Sequence, residues 1–588
     1  MKKLIVLSCL FFCFAMQPYK KLYAQDKSLH QLFANYNEDY LKLFPLEATT
    51  RGDRRYNDLL PNTGSRQYIK QLGIFYDTYL NGLKKYNRQK LSAADRTSYD
   101  LLKYILKTGK EAITYHPEYI PATQFRSLAI TMGTYGAGGN VQPFKTVKDY
   151  EDWLNRITAF TIWVDTAVAN FNKGVAAGVV LPKTLVNKMI PQMERLAEKD
   201  SSKNIFYGPV RNFPQDFTTT KKEKLLNDYH KAINTQLIPA YLKLASYLKK
   251  DYLPHARATS GYNALPVGAA MYSYFTRTNT TTNKTPEEIY QIGLREVALI
   301  HKEMEKVKSE TGFTGSLNEF YTFLTTDKKF LPFKNAEEVL NAYRSIQQKI
   351  DPNLSKLFSV SPTTPFEIRQ TEAFRAASAA AQYISGTPDG KRPGIFYAPI
   401  VDAAKYPYFS MEDLFMHEAI PGHHYQLSLQ SEDTSLPVFR RNIFLTAFGE
   451  GWALYAETLG KELGLYTDPY QYMGSLQNQI HRAIRLVVDV GLHTGKMTRE
   501  EAIKYMLDNE PVTEIFATSE IERYMSLPGQ ALSYKIGQLK IEELRDKYKK
   551  QLGNKFSLKY FHDAVLKAGC LPLSVFENYM DEWALTQK

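Results

Sequence analysis

Three histidines and one glutamate that fall within eight residues could together hold and use a metal ion. They are His417, Glu418, His423 and His424. Neutral imidazoles are good ligands for Zn²⁺, and a carboxylate next to the first histidine can take a proton from water that the metal polarises. We therefore expect His417 to be a zinc ligand and Glu418 to be a catalytic general base.

The spacing of these histidines departs from the usual His-Glu-x-x-His, which puts both ligands on one helix face. On a straight helix His423 would point about 120° away from His417, and His424 would lie about 10 Å along the axis. The intervening Pro421-Gly422 can break the helix, because proline lacks a backbone donor and glycine permits an unusual turn. We expect the break to bring His423 back as the second ligand, with His424 as the alternative.

A catalytic zinc keeps three protein ligands and one open position, so a further ligand is needed. Glu450 lies between Gly449 and Gly451, where a backbone can approach a metal closely, and it is the predicted third ligand. Glu457 follows two turns later on the same face. It is either a partner for an imidazole N–H or a solvated surface acid.

Other polar residues stand out in the C-terminal part of the chain. Arg485, Asp489 and His493 follow one another at four-residue steps on an otherwise apolar helix. This stripe is consistent with a buried ion pair that fixes packing. It is equally consistent with binding of a substrate carboxylate or an oxyanion by Arg485 or His493. Arg523, near Pro528-Gly529, is another candidate for contact with substrate.

These residues are expected to be positioned mainly by helices. The capping box Thr285-Pro286-Glu287-Glu288 and the apolar positions that follow it predict one long helix, and similar periods recur along the chain. The Thr- and Asn-rich stretch 276–285 is the predicted linker between an N-terminal helical half, 26–275, and a C-terminal half, 286–588. One continuous domain, 26–588, is the alternative.

One segment, residues 394–400, is predicted to be extended, because it is apolar and aromatic and follows turn-forming residues. It is either an edge strand that could hold a peptide by strand addition, or a buried connecting strand. Tyr397 in this segment is a candidate substrate contact.

Several long motifs resemble the bacterial family named domain of unknown function 885 (DUF885). They are HEAIPGHHYQ, GEGWALYAE, HRAIRLVVDVGLH and YMSLPGQALSYKIG, in this order, with TPEEIYQIGLREVALIHKEM and PDGKRPGIFY before them. The resemblance implies a large helical, zinc-peptidase-like fold similar to the gluzincins, with a central cleft and a small β element near the site. It also implies a site made of two histidines, a downstream glutamate and the motif glutamate. Tyr534 is the candidate for the tyrosine that steadies the tetrahedral intermediate in such peptidases. The resemblance implies no substrate.

The first 25 residues are typical of a signal peptide: Lys2 and Lys3 precede an apolar run that is too short to span a membrane. We therefore expect an exported protein, periplasmic or extracellular, without a transmembrane segment. Lipid anchoring at Cys9 is not expected, because the cysteine follows Lys3 too closely. The net charge of +13 contains no long basic run, so nucleic acid is not an expected partner.

Taken together, the residues favour an exported zinc-dependent hydrolase that cleaves amide bonds, most simply in short peptides. Glu418 would move the proton, while zinc and Tyr534 or His493 would share the charge that develops on the carbonyl oxygen. Two alternatives stay open: a zinc amidase acting on another kind of substrate, and an exported binding protein without catalysis, which the 13% aromatic content would suit.

Overall fold

The structure is a computed structural model that describes residues 26–138, 141–372, 380–387 and 390–587. The predicted signal peptide and Cys9 lie outside the described residues. Helix accounts for 69% of the chain and strand for 3%. The prediction of a mainly α-helical protein with a small β element is therefore confirmed.

The helices of the N-terminal part are joined by short loops, 3₁₀ turns and two π-helical segments. Their bounds are α1, Lys27–Leu43; α2, Pro45–Thr50; α3, Arg66–Leu83; α4, Ala93–Ile113; α5, Leu128–Gly136; α6, Val147–Ala176; α7, Lys183–Leu196; α8, Gly208–Arg211; α9, Thr219–Ala232; α10, Ile238–Tyr247; and α11, Gly268–Thr280.

The C-terminal part begins with three more helices and then, after the sheet, carries those that form the candidate site. Their bounds are α12, Pro286–Glu310; α13, Leu317–Thr326; α14, Ala336–Leu357; α15, Met411–Glu418; α16, His423–Glu432; α17, Val438–Arg441; α18, Thr446–Glu457; α19, Pro469–Thr494; α20, Arg499–Asn509; α21, Glu514–Ser526; α22, Ser533–Leu552; α23, Leu558–Ala568; and α24, Leu573–Thr586.

Helix α12 shows how the local sequence sets an element and its packing. The Thr285 side chain accepts a hydrogen bond from the Glu288 backbone, and the Glu288 side chain accepts one from the Thr285 backbone, so the predicted capping box is present. Gly293 lies in the buried stripe of this helix and faces α19. A Cβ at position 293 would lie 2.7 Å from Cβ of Leu486, so glycine allows the two helices to pack closely. Helix α19 also packs against α15, the helix that carries His417.

The sheet has three strands in the order β1-β3-β2, where β1 is Phe366–Gln370, β2 is Gln382–Ile384 and β3 is Gly394–Ala398. Strand β3 pairs in parallel with β1 and antiparallel with β2. The segment predicted to be extended is therefore a strand, but it is the central one. The alternative that made it an edge strand open to a peptide is wrong, because both of its edges are already paired.

The two halves of the chain share their cores. Two large clusters of buried apolar side chains each contain residues from both sides of the predicted linker; Trp153 and Ile484 belong to one, and Leu102 and Trp452 to the other. The linker itself begins later than predicted, because residues up to Thr280 are the last turns of α11. Both parts of the chain therefore contribute to the same buried clusters, and its division into domains stays a prediction. Within the described part of the chain, none of the helices is both long and apolar enough to cross a membrane.

Candidate metal centre

The break between α15 and α16 brings two histidines together. Helix α15 ends at Glu418, and α16 begins at His423 after a tight connection through Pro421 and Gly422. A Cβ at Gly422 would lie 2.0 Å from the backbone oxygen of His417, so only glycine fits at this position. The imidazoles of His417 and His423 then face each other, with ring centroids 4.9 Å apart and planes at 85°.

The third side chain of the centre comes from α18. Glu450 Oε2 lies 3.4 Å from Nε2 of His417 and 3.5 Å from Nε2 of His423. One atom from each of the three residues lies within 4.8 Å of the other two. The turn and α18 are also tied directly, because the indole N–H of Trp452 donates to the backbone oxygen of Pro421 at 2.9 Å. The three predicted ligands therefore converge, and their positions are fixed by the fold.

The spacing of these atoms suits one cation. Nitrogen and oxygen ligands lie about 2.0–2.2 Å from zinc, so two of them in a tetrahedral shell are roughly 3.3–3.6 Å apart. The two measured separations, 3.4 and 3.5 Å, fall in that range. Two imidazoles and one carboxylate, with a fourth position left for water or substrate, are also the donor set of a catalytic zinc site. The described residues thus fit the metal that the sequence predicts.

Glu457 orients His417. Its Oε1 lies 2.7 Å from Nδ1 of His417, and because a carboxylate only accepts, Nδ1 carries the proton and Nε2 turns toward the centre. Glu457 is 1% exposed, so the alternative of a solvated surface acid is wrong. Burial, together with the nearby Asp413, raises the pKa of Glu457 to about 7.

Opposite charges dominate the electrostatics of the centre. Burial alone would lower the pKa of His417, but hydrogen bonds with Glu450 and Glu457 hold it well above its usual value of 6.5. Burial would likewise raise the pKa of Glu450, yet His417 and His423 hold it well below its usual range. Nδ1 of His423 is buried and has no hydrogen-bond partner among the described residues. The centre is therefore arranged to hold positive charge.

Gly449 and Gly451 serve packing rather than access to a metal. A Cβ at Gly449 would lie 2.2 Å from the ring of Phe444, and one at Gly451 would lie 2.6 Å from the backbone of Gly537 in α22. The prediction that these glycines let the backbone approach a metal is therefore wrong. They allow α18 to lie directly against its neighbours, which fixes the position of Glu450.

Glu418 is half-buried at the end of α15 and makes no hydrogen bond or ion pair with any described residue. It directly follows His417 in the chain. A carboxylate with its lone pairs free beside a candidate ligand can accept a proton from water. This arrangement suits the role predicted for Glu418.

His424 does not join the centre. Its Nδ1 lies 2.9 Å from the hydroxyl of Tyr383 in β2, and its ring packs against Phe366 in β1. Burial lowers its pKa to about 4. The alternative that made His424 the second ligand is therefore wrong, because consecutive residues at the start of α16 point to different sides.

His493 does not reach the centre through any described contact. It accepts a hydrogen bond from the Tyr262 N–H at 3.3 Å and donates one to the Tyr524 backbone oxygen at 3.0 Å. It is 1% exposed, and burial lowers its pKa to about 3. Since both ring nitrogens are used in packing, the prediction that His493 faces the cleft and stabilises an oxyanion is wrong.

Asp489 is also structural. It accepts hydrogen bonds from the Tyr272 hydroxyl at 2.7 Å and the Gly529 N–H at 3.0 Å. It is fully buried, and burial raises its pKa to about 7. Asp489 and Arg485 contact different residues, so the alternative of an ion pair within the stripe is wrong as well.

Arg485, Arg523 and Tyr534 do lie together. The Arg485 guanidinium stacks on the Tyr534 ring, with Cζ 4.8 Å from the ring centroid. Both arginines bond to Glu520, at 3.2 Å from Arg485 and 3.0 Å from Arg523. The Tyr534 ring is half-buried, and its hydroxyl makes no hydrogen bond with the described residues.

Two residues of this region escaped sequence reasoning. Glu520 was missed, although its position three residues before Arg523 on a helix is a signal for an ion pair. Phe444 lies beside His423, with ring centroids 6.3 Å apart, and is 44% exposed. No local signal marks Phe444, because its position depends on the contact with Gly449.

Tyr397, the other candidate substrate contact, lies on β3 and pairs in register with Arg369 of β1 and Gln382 of β2. No described contact links it to the three candidate ligands.

Comparisons with known proteins give the family and the fold. The sequence profile of a family described as "Bacterial protein of unknown function (DUF885)" matches residues 45–580. No curated protein matches the chain significantly.

Two solved structures are similar over nearly their whole length. A candidate lipoprotein from Colwellia psychrerythraea has a TM-score of 0.86 and 28% identity, and the match covers 95% of this chain and 99% of that one. A candidate lipoprotein of unknown function from Shewanella oneidensis has a TM-score of 0.73 and 19% identity, with 94% and 100% covered. These descriptions give no support to our expectation that lipid anchoring is absent.

Proposed function

We propose that this chain, which belongs to the bacterial family DUF885, is an exported zinc-dependent hydrolase that cleaves amide bonds, in short peptides. The observation that carries the proposal is the convergence of His417, His423 and Glu450, in which Glu450 lies from each histidine at a separation that matches a tetrahedral zinc shell. The relation to the gluzincins, which the sequence resemblance implies, is part of this proposal.

The residues around the candidate ligands support a catalytic rather than a purely structural site. Structural zinc sites are usually closed by four protein ligands, whereas three are found here among the described residues. Zinc bound by these three would lower the pKa of a coordinated water toward about 7 and would polarise a carbonyl group. Glu457 holds His417 in the tautomer that presents Nε2, which a ligand in such a site requires.

The side chains of this protein would then move the proton and hold the substrate. Glu418 accepts a proton from the attacking water and passes it to the amine as the C–N bond breaks. The Tyr534 hydroxyl, which the described residues leave without a partner, donates a hydrogen bond to the carbonyl oxygen as negative charge develops there. Phe444 provides an exposed apolar wall beside His423 for a substrate side chain. With His493 used in packing, the oxyanion role falls to Tyr534 alone.

Metal analysis of purified protein tests the centre. We expect about one zinc per chain in the wild type, and loss of that zinc in His417→Ala and His423→Ala. The matched control is His424→Gln, which changes the neighbouring imidazole without touching the centre and should retain zinc. Equal zinc content in the wild type and both alanine variants would show that the two histidines do not bind the metal.

Digestion of a mixed peptide library, followed by mass spectrometry, tests the chemistry. We expect the zinc-loaded wild type to cleave peptides and Glu418→Gln to bind zinc equally well without cleaving. The substitution keeps the size of the side chain and removes its ability to accept the proton. If the library stays intact with zinc-loaded wild type, the protein is a metal-containing binding protein or acts on amides of another kind, and the peptidase proposal fails.

A further inference from the structure

A pair of arginines lies beside the tyrosine proposed to contact the substrate. Arg485 and Arg523 both bond to Glu520, and Arg485 also donates to the Tyr524 hydroxyl at 3.1 Å. Arg485 is 7% exposed, and its Nη1 has no hydrogen-bond partner among the described residues. A buried guanidinium nitrogen normally has an acceptor, so this one is free for an acceptor that the protein does not supply.

The charges of this pair are not balanced by Glu520 alone. One carboxylate is shared by two guanidinium groups, which are always charged. Asp489, an acid that the charge of Arg523 also reaches, accepts hydrogen bonds from the Tyr272 hydroxyl and the Gly529 N–H. Glu510 is bound by Nδ1 of His481 at 2.9 Å. A second carboxylate could therefore bind here, and arginine is the side chain best suited to hold one through two parallel hydrogen bonds.

Helix packing brings the two helices that carry Tyr534 and Arg485 alongside the helices of the metal centre. Gly537 of α22 crosses α18 at Gly451, the residue after Glu450, and Tyr534 lies one turn before Gly537. Helix α19 passes the other ligand helix: the Asn478 side chain donates to Asp413 at 2.6 Å, and Asp413 lies one turn before His417. Arg485 is two turns beyond Asn478 on α19. Both helices that carry the arginine and its stacked tyrosine thus run alongside the centre.

The stacking distance limits how far the carboxylate can be from the bond that is cleaved. A tyrosine hydroxyl is about 3 Å from its ring centre, and Cζ of Arg485 is 4.8 Å from the Tyr534 centroid. If the hydroxyl bonds to the scissile carbonyl oxygen, the guanidinium is then roughly 5–10 Å from that oxygen. The carbon of a bound carboxylate lies about 4 Å from the guanidinium carbon, which leaves up to about 6 Å to the scissile carbonyl. An extended peptide covers about 3.5 Å per residue, so this remainder corresponds to one or two residues.

We propose that Arg485 and Arg523 bind the free C-terminal carboxylate of a peptide, so that the protein removes one or two residues from the C-terminus. This inference rests on the proposed function, because it takes the scissile bond to lie at the metal centre. The pair would determine which substrates are cleaved and would take no part in proton transfer. An acidic side chain near the C-terminus offers the same carboxylate chemistry, and the test separates the two sources.

The test compares three versions of one peptide: one with a free C-terminal acid, one with a C-terminal amide, and one with an amide end and a glutamate as the last residue. Binding to the Glu418→Gln protein is measured by calorimetry, and cleavage by zinc-loaded wild type is measured by mass spectrometry. We expect the free acid to bind at least about tenfold more tightly than the plain amide, and the fragment released to be one or two residues long. If the amide with a terminal glutamate binds as well as the free acid, the C-terminal assignment is wrong.

Variants of the arginines give the second part of the test. In Arg523→Gln, or Arg485→Lys, the preference for acid over amide should fall by about tenfold or more, while zinc content stays the same. The matched control is Arg499→Gln. Its side chain is 19% exposed, against 18% for Arg523, and it pairs across helices with Glu522, which directly precedes Arg523 on α21. The control should keep the full preference.

The outcomes separate this inference from the proposed function. Equal binding and cleavage of acid and amide peptides would overturn the carboxylate site and leave the hydrolase standing. A preference for the acid that survives in Arg523→Gln and Arg485→Lys would also overturn it. Discrimination in binding without any cleavage by the zinc-loaded wild type would overturn the hydrolase and support the carboxylate site.

Discussion

Replacing Glu457 with glutamine tests the architecture of the centre with a change of one charge. Glu457 is not one of the three candidate ligands and acts on the proposed metal through His417. It accepts a hydrogen bond from Nδ1 of His417 at 2.7 Å, and it is fully buried. Glutamine keeps the shape of the side chain and an oxygen acceptor. The variant therefore removes the negative charge behind His417 and leaves the three candidate ligands in place.

The size of the effect follows from the kind of hydrogen bond that is changed. A buried hydrogen bond to a charged group contributes about 1.5–3 kcal/mol, and a neutral one contributes about 0.5–1.5 kcal/mol. The difference, about 1–1.5 kcal/mol, corresponds to a zinc dissociation constant that rises about tenfold. Loss of such a partner typically weakens metal binding by about 10–100-fold.

The assay is competition for zinc against a chromophoric chelator at about pH 8. That pH is needed because the pKa of Glu457 is raised to about 7, and a protonated Glu457 already resembles glutamine. Two other Glu→Gln variants serve as controls for the lowest and the highest zinc affinity expected. Glu450→Gln should lose zinc almost completely, and Glu418→Gln should bind it like the wild type. A dissociation constant of Glu457→Gln within about twofold of the wild type would refute the idea that this carboxylate strengthens His417 as a ligand.

Three further predictions concern pH, packing and substrate. Glu450 and Glu457 raise the pKa of His417 well above its usual value of 6.5. The protonated imidazole therefore stabilises metal-free protein below pH 6.5, and this stabilisation is lost as the pH rises through the raised pKa. Zinc needs the neutral form, so the gap in melting temperature between zinc-loaded and metal-free protein should widen as pH rises above 6.5; a constant gap would contradict this. Asp489 has its pKa raised from 3.8 to about 7 by burial, so the folded state holds its proton longer than the unfolded state and stability falls as pH rises through that window. Asp489→Asn should flatten this fall in thermal melts, and an unchanged pH dependence would count against it. Phe444→Ala should raise KM for peptides with apolar side chains by about tenfold with little change in kcat, since it removes apolar contact area but no reacting group. A loss confined to kcat would argue against contact between Phe444 and a substrate side chain.

Single helices of the fold could be predicted wherever their local sequence carries its own signals. The helix after Thr285 has the capping box, and its six buried residues are those given by the three- and four-residue period: Ile289, Gly293, Val297, Ile300, Met304 and Val307. Helices α11 and α12 show the limit of this reasoning. The Thr- and Asn-rich composition predicted a linker from residue 276, yet Thr276 and Thr280 are buried in the last turns of α11. Tertiary packing, which composition does not encode, overrides the local preference.

Within the site, the sequence identified the residues that converge but gave the wrong reason for some of them. The glycines beside Glu450 indicated close approach of a backbone, and the structure shows that the close neighbours are the Phe444 ring and Gly537. The stripe Arg485, Asp489 and His493, which shares one face of α19, was consistent with a buried ion pair or with substrate binding by Arg485 or His493. Its members instead contact three different parts of the chain, and a helical period cannot distinguish a cleft from a second packed neighbour.

The choice between His423 and His424 shows what a broken helix adds to a metal site. Spacing alone cannot decide between them, because neither histidine matches His417 on a continuous helix. The connection decides, since Gly422 has to lie against the backbone oxygen of His417, and this contact fixes where α16 starts. The first residue of the new helix then faces the old one, and the second turns toward Phe366 and Tyr383 of the sheet. A site of this kind depends on Pro421 and Gly422 as much as on its ligands, so a sequence search for paired histidines at fixed spacing would miss it.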